Sequence, residues 1–244
     1  MELKRVVVTG LGAVTPIGND VQSFWQGLVN GTSGAADITK FDATNFKTQF
    51  ACEVKDFDVS QFLHRKESRK MDLFAQYAIA CSDEALADAG LDGEEPNVDH
   101  DRVGVIWGSG IGGFQTFMNE ALNFHESGGV PRFSPFFIPM MISDIAAGHI
   151  SIRHGFRGPN FCTVSACASG TNAMIDAFNY IRLGKAEVMV TGGSEAAITE
   201  GGIGGFNALK ALSTRNDDPA RASRPFDATR DGFVLGEGGG AIIL

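Results

Sequence analysis

Four cysteines, Cys52, Cys81, Cys162 and Cys167, are the strongest nucleophiles in the chain, and one of them stands in a setting suited to covalent chemistry. The stretch Phe161-Cys162-Thr163-Val164-Ser165-Ala166-Cys167-Ala168-Ser169-Gly170 reads as a short strand that turns through small residues into a helix. Ser165 and Ser169 flank Cys167 at two positions and Gly170 follows at three, which are the small neighbours that a nucleophile elbow requires. A thiolate at the first turn of a helix gains from free backbone NH groups and the helix dipole. The NH of the same residue is also placed to help bind an oxyanion. The competing reading is a buried structural cysteine, the usual state of free Cys. Cys162, inside the strand, reads as core, as do Cys52 and Cys81.

A second stretch invites a different chemistry. Gly108-Ser109-Gly110-Ile111-Gly112-Gly113 satisfies G-x-G-x-x-G, follows an apolar run and opens a helical pattern, the context of a dinucleotide fingerprint. The acidic residue expected about 20 positions later is not evident, because Glu120 and Glu126 fall in or just after the helix. Glycine that simply permits a tight strand-to-helix turn is the stronger reading. No C-x-x-C pair suggests a metal or dithiol site, and four cysteines are too few for a disulfide scaffold. A reducing, cytoplasmic setting fits this usage.

These residues need elements to hold them. Arg5 to Thr9 is a β-branched run expected as a first strand buried on both faces, with Val21 to Leu28 a helix capped by Asn19-Asp20 and stopped at Asn30-Gly31. Gly31 to Ser60 has no clean period. Apolar spacing predicts a long helix over Met71 to Leu91, a buried strand over Val103 to Trp107 and helices over Phe114 to Phe124 and Ile142 to Arg153. Phe161 to Val164 reads as a strand, Ala168 to Leu183 as a helix ended by Gly184, and Glu187 to Thr191 and Ala241 to Leu244 as further strands. The alternation predicts an α/β fold with a mostly parallel sheet and helices on both faces. A chain that stops on a buried-type strand suggests that more protein follows.

Composition narrows the function classes. The 244 residues carry 20 Lys+Arg against 29 Asp+Glu, a formal charge of −9, which argues against general nucleic-acid binding. The apolar start after Met1-Glu2 is broken by Gly10 and Gly12 and lacks a cleavage site, so it does not read as a signal peptide. The most apolar long window, Phe133 to Ile152, contains Pro135, Pro139 and Asp144, so no membrane span is expected. Against the acidic background, His64-Arg65-Lys66-Glu67-Ser68-Arg69-Lys70 is the densest basic cluster.

Taken together, several motifs carry a resemblance. Val164 to Gly170, Gly148-His149, Gly158-Pro159, Leu212-Ser213-Thr214-Arg215-Asn216-Asp217 and Arg230-Asp231-Gly232-Phe233-Val234-Leu235-Gly236-Glu237-Gly238 resemble the β-ketoacyl-acyl-carrier-protein synthases, the type II elongating branch best. The resemblance runs from Arg5 to Leu244. It implies a thiolase-like fold, with residues 1–244 as the N-terminal half of a duplicated architecture, and Cys167 as the acyl-accepting nucleophile. The implied reaction is decarboxylating condensation of that acyl group with malonyl-carrier protein, with no metal or redox cofactor. It further implies an acyl pocket lined by Ile111, Phe137, Ile138 and Phe206, docking of an acidic acyl carrier protein on Lys66, Arg69 and Lys70 with Arg132 and Lys210, and a homodimer. Core packing and an ordinary solvated surface are the competing readings of those two groups. Two histidines and a lysine of the family's C-terminal half have no counterpart among His64, His100, His125, His149 and His154, so the isolated segment is expected to be poorly soluble and inactive in condensation. A non-catalytic partner resembling a chain-length factor is the alternative, against which Cys167 argues; a dehydrogenase rests on the Gly108 turn alone.

Overall fold

The computed structural model describes residues 3–92 and 98–244; Met1 and Glu2, which open the signal-like stretch, lie outside them. Its central sheet has the order β1 (Gly10–Val14), β7 (Gly238–Ile243), β6 (Val188–Glu195), β4 (Val103–Gly108) and β5 (Asn160–Thr163). β4 is buried along its whole length and shows how the layers form. Val103, Val105 and Trp107 point into one core with α3 (Leu73–Asp88) and α6 (Ile145–His154), while Ile106 points into a second core with α7 (Ser169–Arg182). Strand periodicity of two thus supplies apolar contacts to both faces.

The sheet is mostly parallel, as expected, with one strand reversed: β1, β4, β5 and β6 run one way and β7 runs against them. β4 runs parallel to β5 and β6, but β7 is antiparallel to both β6 and β1. The reason is the connection: Glu195 at the end of β6 faces Gly238 at the start of β7, so the chain re-enters the sheet from the end at which it left. Apolar runs reveal burial but not direction.

The first strand also lies later than Arg5 to Thr9. Pairing begins where the Thr9 NH meets the Ile243 carbonyl at 2.9 Å, and Val7 and Val8 remain exposed because no strand flanks them. The two glycines that interrupt the apolar run are what β1 needs. A Cβ on Gly12 would lie 1.8 Å from the Cys81 carbonyl oxygen, so the strand packs directly on the α3 backbone.

The remaining elements follow local rules. Asp20 caps α1 (Val21–Val29) by accepting from the Ser23 NH at 2.6 Å. The aperiodic segment after it holds β2 (Ala36–Asp37) and β3 (Phe50–Ala51), paired antiparallel. α2 (Arg65–Ser68) opens the basic cluster, and α4 (Phe114–Glu126) stacks Phe117 on Phe137 of α5 (Phe137–Met141) and Phe124 on Phe133 of the segment before α5. α8 (Glu200–Ala208) was hidden by four glycines, which weaken helix propensity; the Thr199 hydroxyl caps it by accepting from the Gly202 NH at 3.0 Å, and buried Ile203 anchors it.

Candidate active site

Cys167 sits at the turn between β5 and α7 with its side chain exposed. The residue before it, Ala166, has φ of +52°, a left-handed conformation that costs a non-glycine residue about 1–3 kcal/mol. Hydroxyl groups hold this strained turn. Ser169 Oγ donates to the Ala166 carbonyl at 2.7 Å and accepts from the Ser165 NH at 2.9 Å, while Asn172 Nδ2 donates to Ser165 Oγ at 2.5 Å. Thr163 Oγ1 ties the strand end to the Ser169 carbonyl at 2.7 Å. Ser165 and Ser169, expected from sequence as small spacers, therefore also lock the elbow. Close approach completes it, because a Cβ on Gly108 would lie 2.3 Å from the Ser169 carbonyl carbon, letting the start of α7 rest on β4.

The elbow faces a cleft of about 730 Å³ at the carboxyl ends of β4 and β6, where open α/β sheets bind ligands. Cys167, Thr171 and Met174 form one side, Val14 to Pro16 another, and Ile111, Phe206, Phe233 and Leu235 supply apolar walls. Phe206 and Phe233 meet edge to face at 5.3 Å. A clip built from the two downstream motifs places Phe233. The Ser213 NH bonds the Phe233 carbonyl at 2.9 Å, Ser213 Oγ donates to Asp231 Oδ1 at 2.7 Å, and the Thr214 NH donates to Asp231 Oδ2 at 3.0 Å. The Ser213 hydroxyl above all, aided by the Thr214 NH and Arg215, holds the Asp231 carboxyl below its ordinary value.

Ile111 and Phe206 thus border the cleft, whereas Phe137 and Ile138 do not. Phe137 stacks on Phe117 and Phe133, and Ile138 is 56% exposed, because α5 packs against α4 instead of toward Cys167. The other cysteines differ from Cys167. Cys81 is fully buried, and Cys52 and Cys162 are half-buried rather than core; burial pushes all three thiols up. His154 bonds Asp83 at 2.9 Å and stacks on Phe156, and burial lowers the pKa of His149; neither borders the cleft. Lys66, Arg69, Lys70, Arg132 and Lys210 are exposed, and Lys70 Nζ lies 5.0 Å over the Phe136 ring, which joins the α2 cluster to the segment carrying Arg132.

Two carboxylates take their roles only in the fold, Glu237 from within the Arg230–Gly238 motif and Glu195 from outside every motif. Glu237 is buried at the cleft floor, ion-paired with Lys40 and accepting from the Val54 NH at 2.9 Å and the Tyr77 hydroxyl at 3.3 Å. Glu195 is surrounded by the glycine-rich turn, whose NH groups point at its oxygens. The donors that would cradle a pyrophosphate in a dinucleotide site are already committed to a side chain of this protein. That overturns the dehydrogenase reading.

A cysteine presented by a strained strand-to-helix turn over an apolar cleft, on a mixed five-stranded sheet covered on both faces, defines a thiolase-like protein with a candidate thiol nucleophile. Residues 3–244 match the family described as β-ketoacyl synthase, N-terminal domain, and the chain belongs to it. The chain is 52% identical over all 244 residues to 3-oxoacyl-[acyl-carrier-protein] synthase 2 of Synechocystis sp., of which it covers 58%. Among solved structures it is similar to a β-ketoacyl synthase from Burkholderia phymatum, at 32% identity and TM-score 0.87, covering 100% of this chain and 59% of that one. It is also similar to the ishigamide ketosynthase/chain length factor, at 28% identity and TM-score 0.87, covering 99% and 58%. The chain spans 58% of the length of the curated relative.

Proposed function

We propose that the protein containing this chain is an elongating ketosynthase in which Cys167 accepts an acyl group from a carrier-bound thioester. The observation that carries the reading is the exposed Cys167 thiol on its hydroxyl-clamped elbow, opening onto an apolar cleft. The thiolate attacks the thioester carbonyl, the carrier thiol leaves, and the acyl chain lies against Ile111 and Phe206. Malonyl-carrier protein then loses CO2, and its carbanion attacks the acyl-enzyme to release a chain two carbons longer; covalent holding makes this step effectively intramolecular. The histidines and lysine that assist decarboxylation belong to a C-terminal half outside residues 1–244, a division supported by the greater length of the relatives.

An acyl carrier protein is the proposed partner, supported by the name of the Synechocystis relative and by the exposed basic residues around Lys66. The complete protein is proposed to be a homodimer. Among the described residues no helix is long and apolar enough to cross a membrane. The four free cysteines favour the cytoplasm. A non-catalytic chain-length-factor role is disfavoured by Cys167 itself.

The test is intact-protein mass spectrometry of the complete protein after exposure to an acyl-carrier substrate. One acyl adduct is expected, absent in Cys167→Ala. An adduct that maps to Cys162 would overturn the assignment.

A further inference from the structure

Glu195 ends β6 with its carboxylate turned into the Ser109–Gly112 turn. Oε2 accepts from the Gly110 NH at 2.7 Å and the Ile111 NH at 3.1 Å, and Oε1 from the Gly112 NH at 3.2 Å and Ser109 Oγ at 3.1 Å. Four donors from four consecutive residues converge on one side chain, which a two-oxygen acceptor can satisfy and few other groups can. Burial pushes the Glu195 carboxyl above its ordinary value while these donors pull it back. The turn is gripped from its far side as well. A Cβ on Gly110 would lie 3.0 Å from Glu195 Oε2 and 3.2 Å from the Ala166 carbonyl oxygen, so the backbone of the turn is held between Glu195 and the Cys167 elbow. Ile111, 40% exposed, stands on this turn and borders the cleft.

We infer that Glu195 is a positioning residue that fixes Ile111 relative to Cys167 and thereby sets which acyl chain lengths the cleft admits. The inference rests on the proposed acyl-transfer reading and deepens it. A glutamine at this position keeps the shape but offers one acceptor oxygen and an NH2 that opposes the turn donors. The Gly112 NH then keeps only Ser109 Oγ, at 3.2 Å, as its acceptor, the charge-assisted bonds to the carboxylate are lost, and the turn relaxes.

The test uses the complete protein and follows acylation of Cys167 by acetyl and dodecanoyl thioesters of N-acetylcysteamine. In Glu195→Gln the ratio of dodecanoyl to acetyl rates is expected to shift on the order of tenfold, the scale of one charge-assisted hydrogen bond. Ile111→Ala is expected to shift the same ratio, and the double variant to add little more, because both act through one side chain. Ser109→Ala, which removes one donor to Glu195 and one of two acceptors of the Gly112 NH but leaves the carboxylate in place, should move the ratio in the same direction by less, and it keeps the inference testable if Glu195→Gln does not fold. An equal loss at both chain lengths, an unchanged ratio, or strictly additive effects of Glu195→Gln and Ile111→Ala would each overturn the inference. Failure of the parent protein to become acylated at Cys167 by either thioester would instead sink the acyl-transfer reading on which it rests.

Discussion

At the scale of single residues, reactivity is decided by where each thiol sits. Cys167 is exposed, whereas burial keeps Cys52, Cys81 and Cys162 protonated to higher pH. Under limiting iodoacetamide at neutral pH, peptide mapping is therefore expected to find Cys167 modified first, and early labelling of Cys162 would contradict this ranking. Asp231 gives a pH-dependent expectation. Its folded pKa lies below the ordinary value of 3.8, so its contribution to stability is present above that value and is lost as pH falls through the folded one. Asp231→Asn is expected to lower the urea midpoint at pH 7 and to converge with the parent in acid. A deficit that persists unchanged to the lowest pH would mean that the side chain acts by shape and not by charge. The sequence shows Cys167 because small residues must surround an elbow; it does not show Glu195, nor what Glu237 of the Arg230–Gly238 motif binds, because their partners lie 83–86 and 160–197 positions away.

Elements were legible to the extent that local pattern fixes them. The helical spacing after Met71 and the apolar run at Val103 appear as α3 and β4, since each buries the side chains that its own period selects. Strand direction, the glycine-rich α8 and the true place of β1 depend on contacts made far along the chain. Gly12 is the sharpest case. It looks like a strand breaker in sequence, yet any larger residue would collide with the Cys81 carbonyl on α3. Gly12→Ala is accordingly expected to destabilise the fold by about 3 kcal/mol, the upper range for overpacking, read as a lower denaturant midpoint at constant m. A neutral Gly12→Ala would show that β1 and α3 are not held in the close contact described.

For the whole molecule the balance of charge matters more than any pair. The chain carries a formal −9, so an acidic carrier protein is repelled at long range unless it meets a local patch of opposite sign. The exposed Lys66, Arg69 and Lys70 form that patch, and the Lys70–Phe136 contact extends it toward Arg132. Exposed charges of this kind act mainly on the rate of encounter and are screened by salt, because the Debye length is only about 8 Å at physiological ionic strength. Reversing two of them, as in Lys66→Glu with Arg69→Glu, is expected to slow association with an acyl carrier protein on the order of tenfold at low salt and to flatten its salt dependence. Acylation of Cys167 by a carrier-free thioester in the same variant supplies the reference, since that substrate brings no acidic surface to steer. A loss that is equal for carrier-bound and carrier-free substrates would place the effect in folding or in the cleft, and an association rate unmoved by salt in the parent would remove the basis for docking on this face.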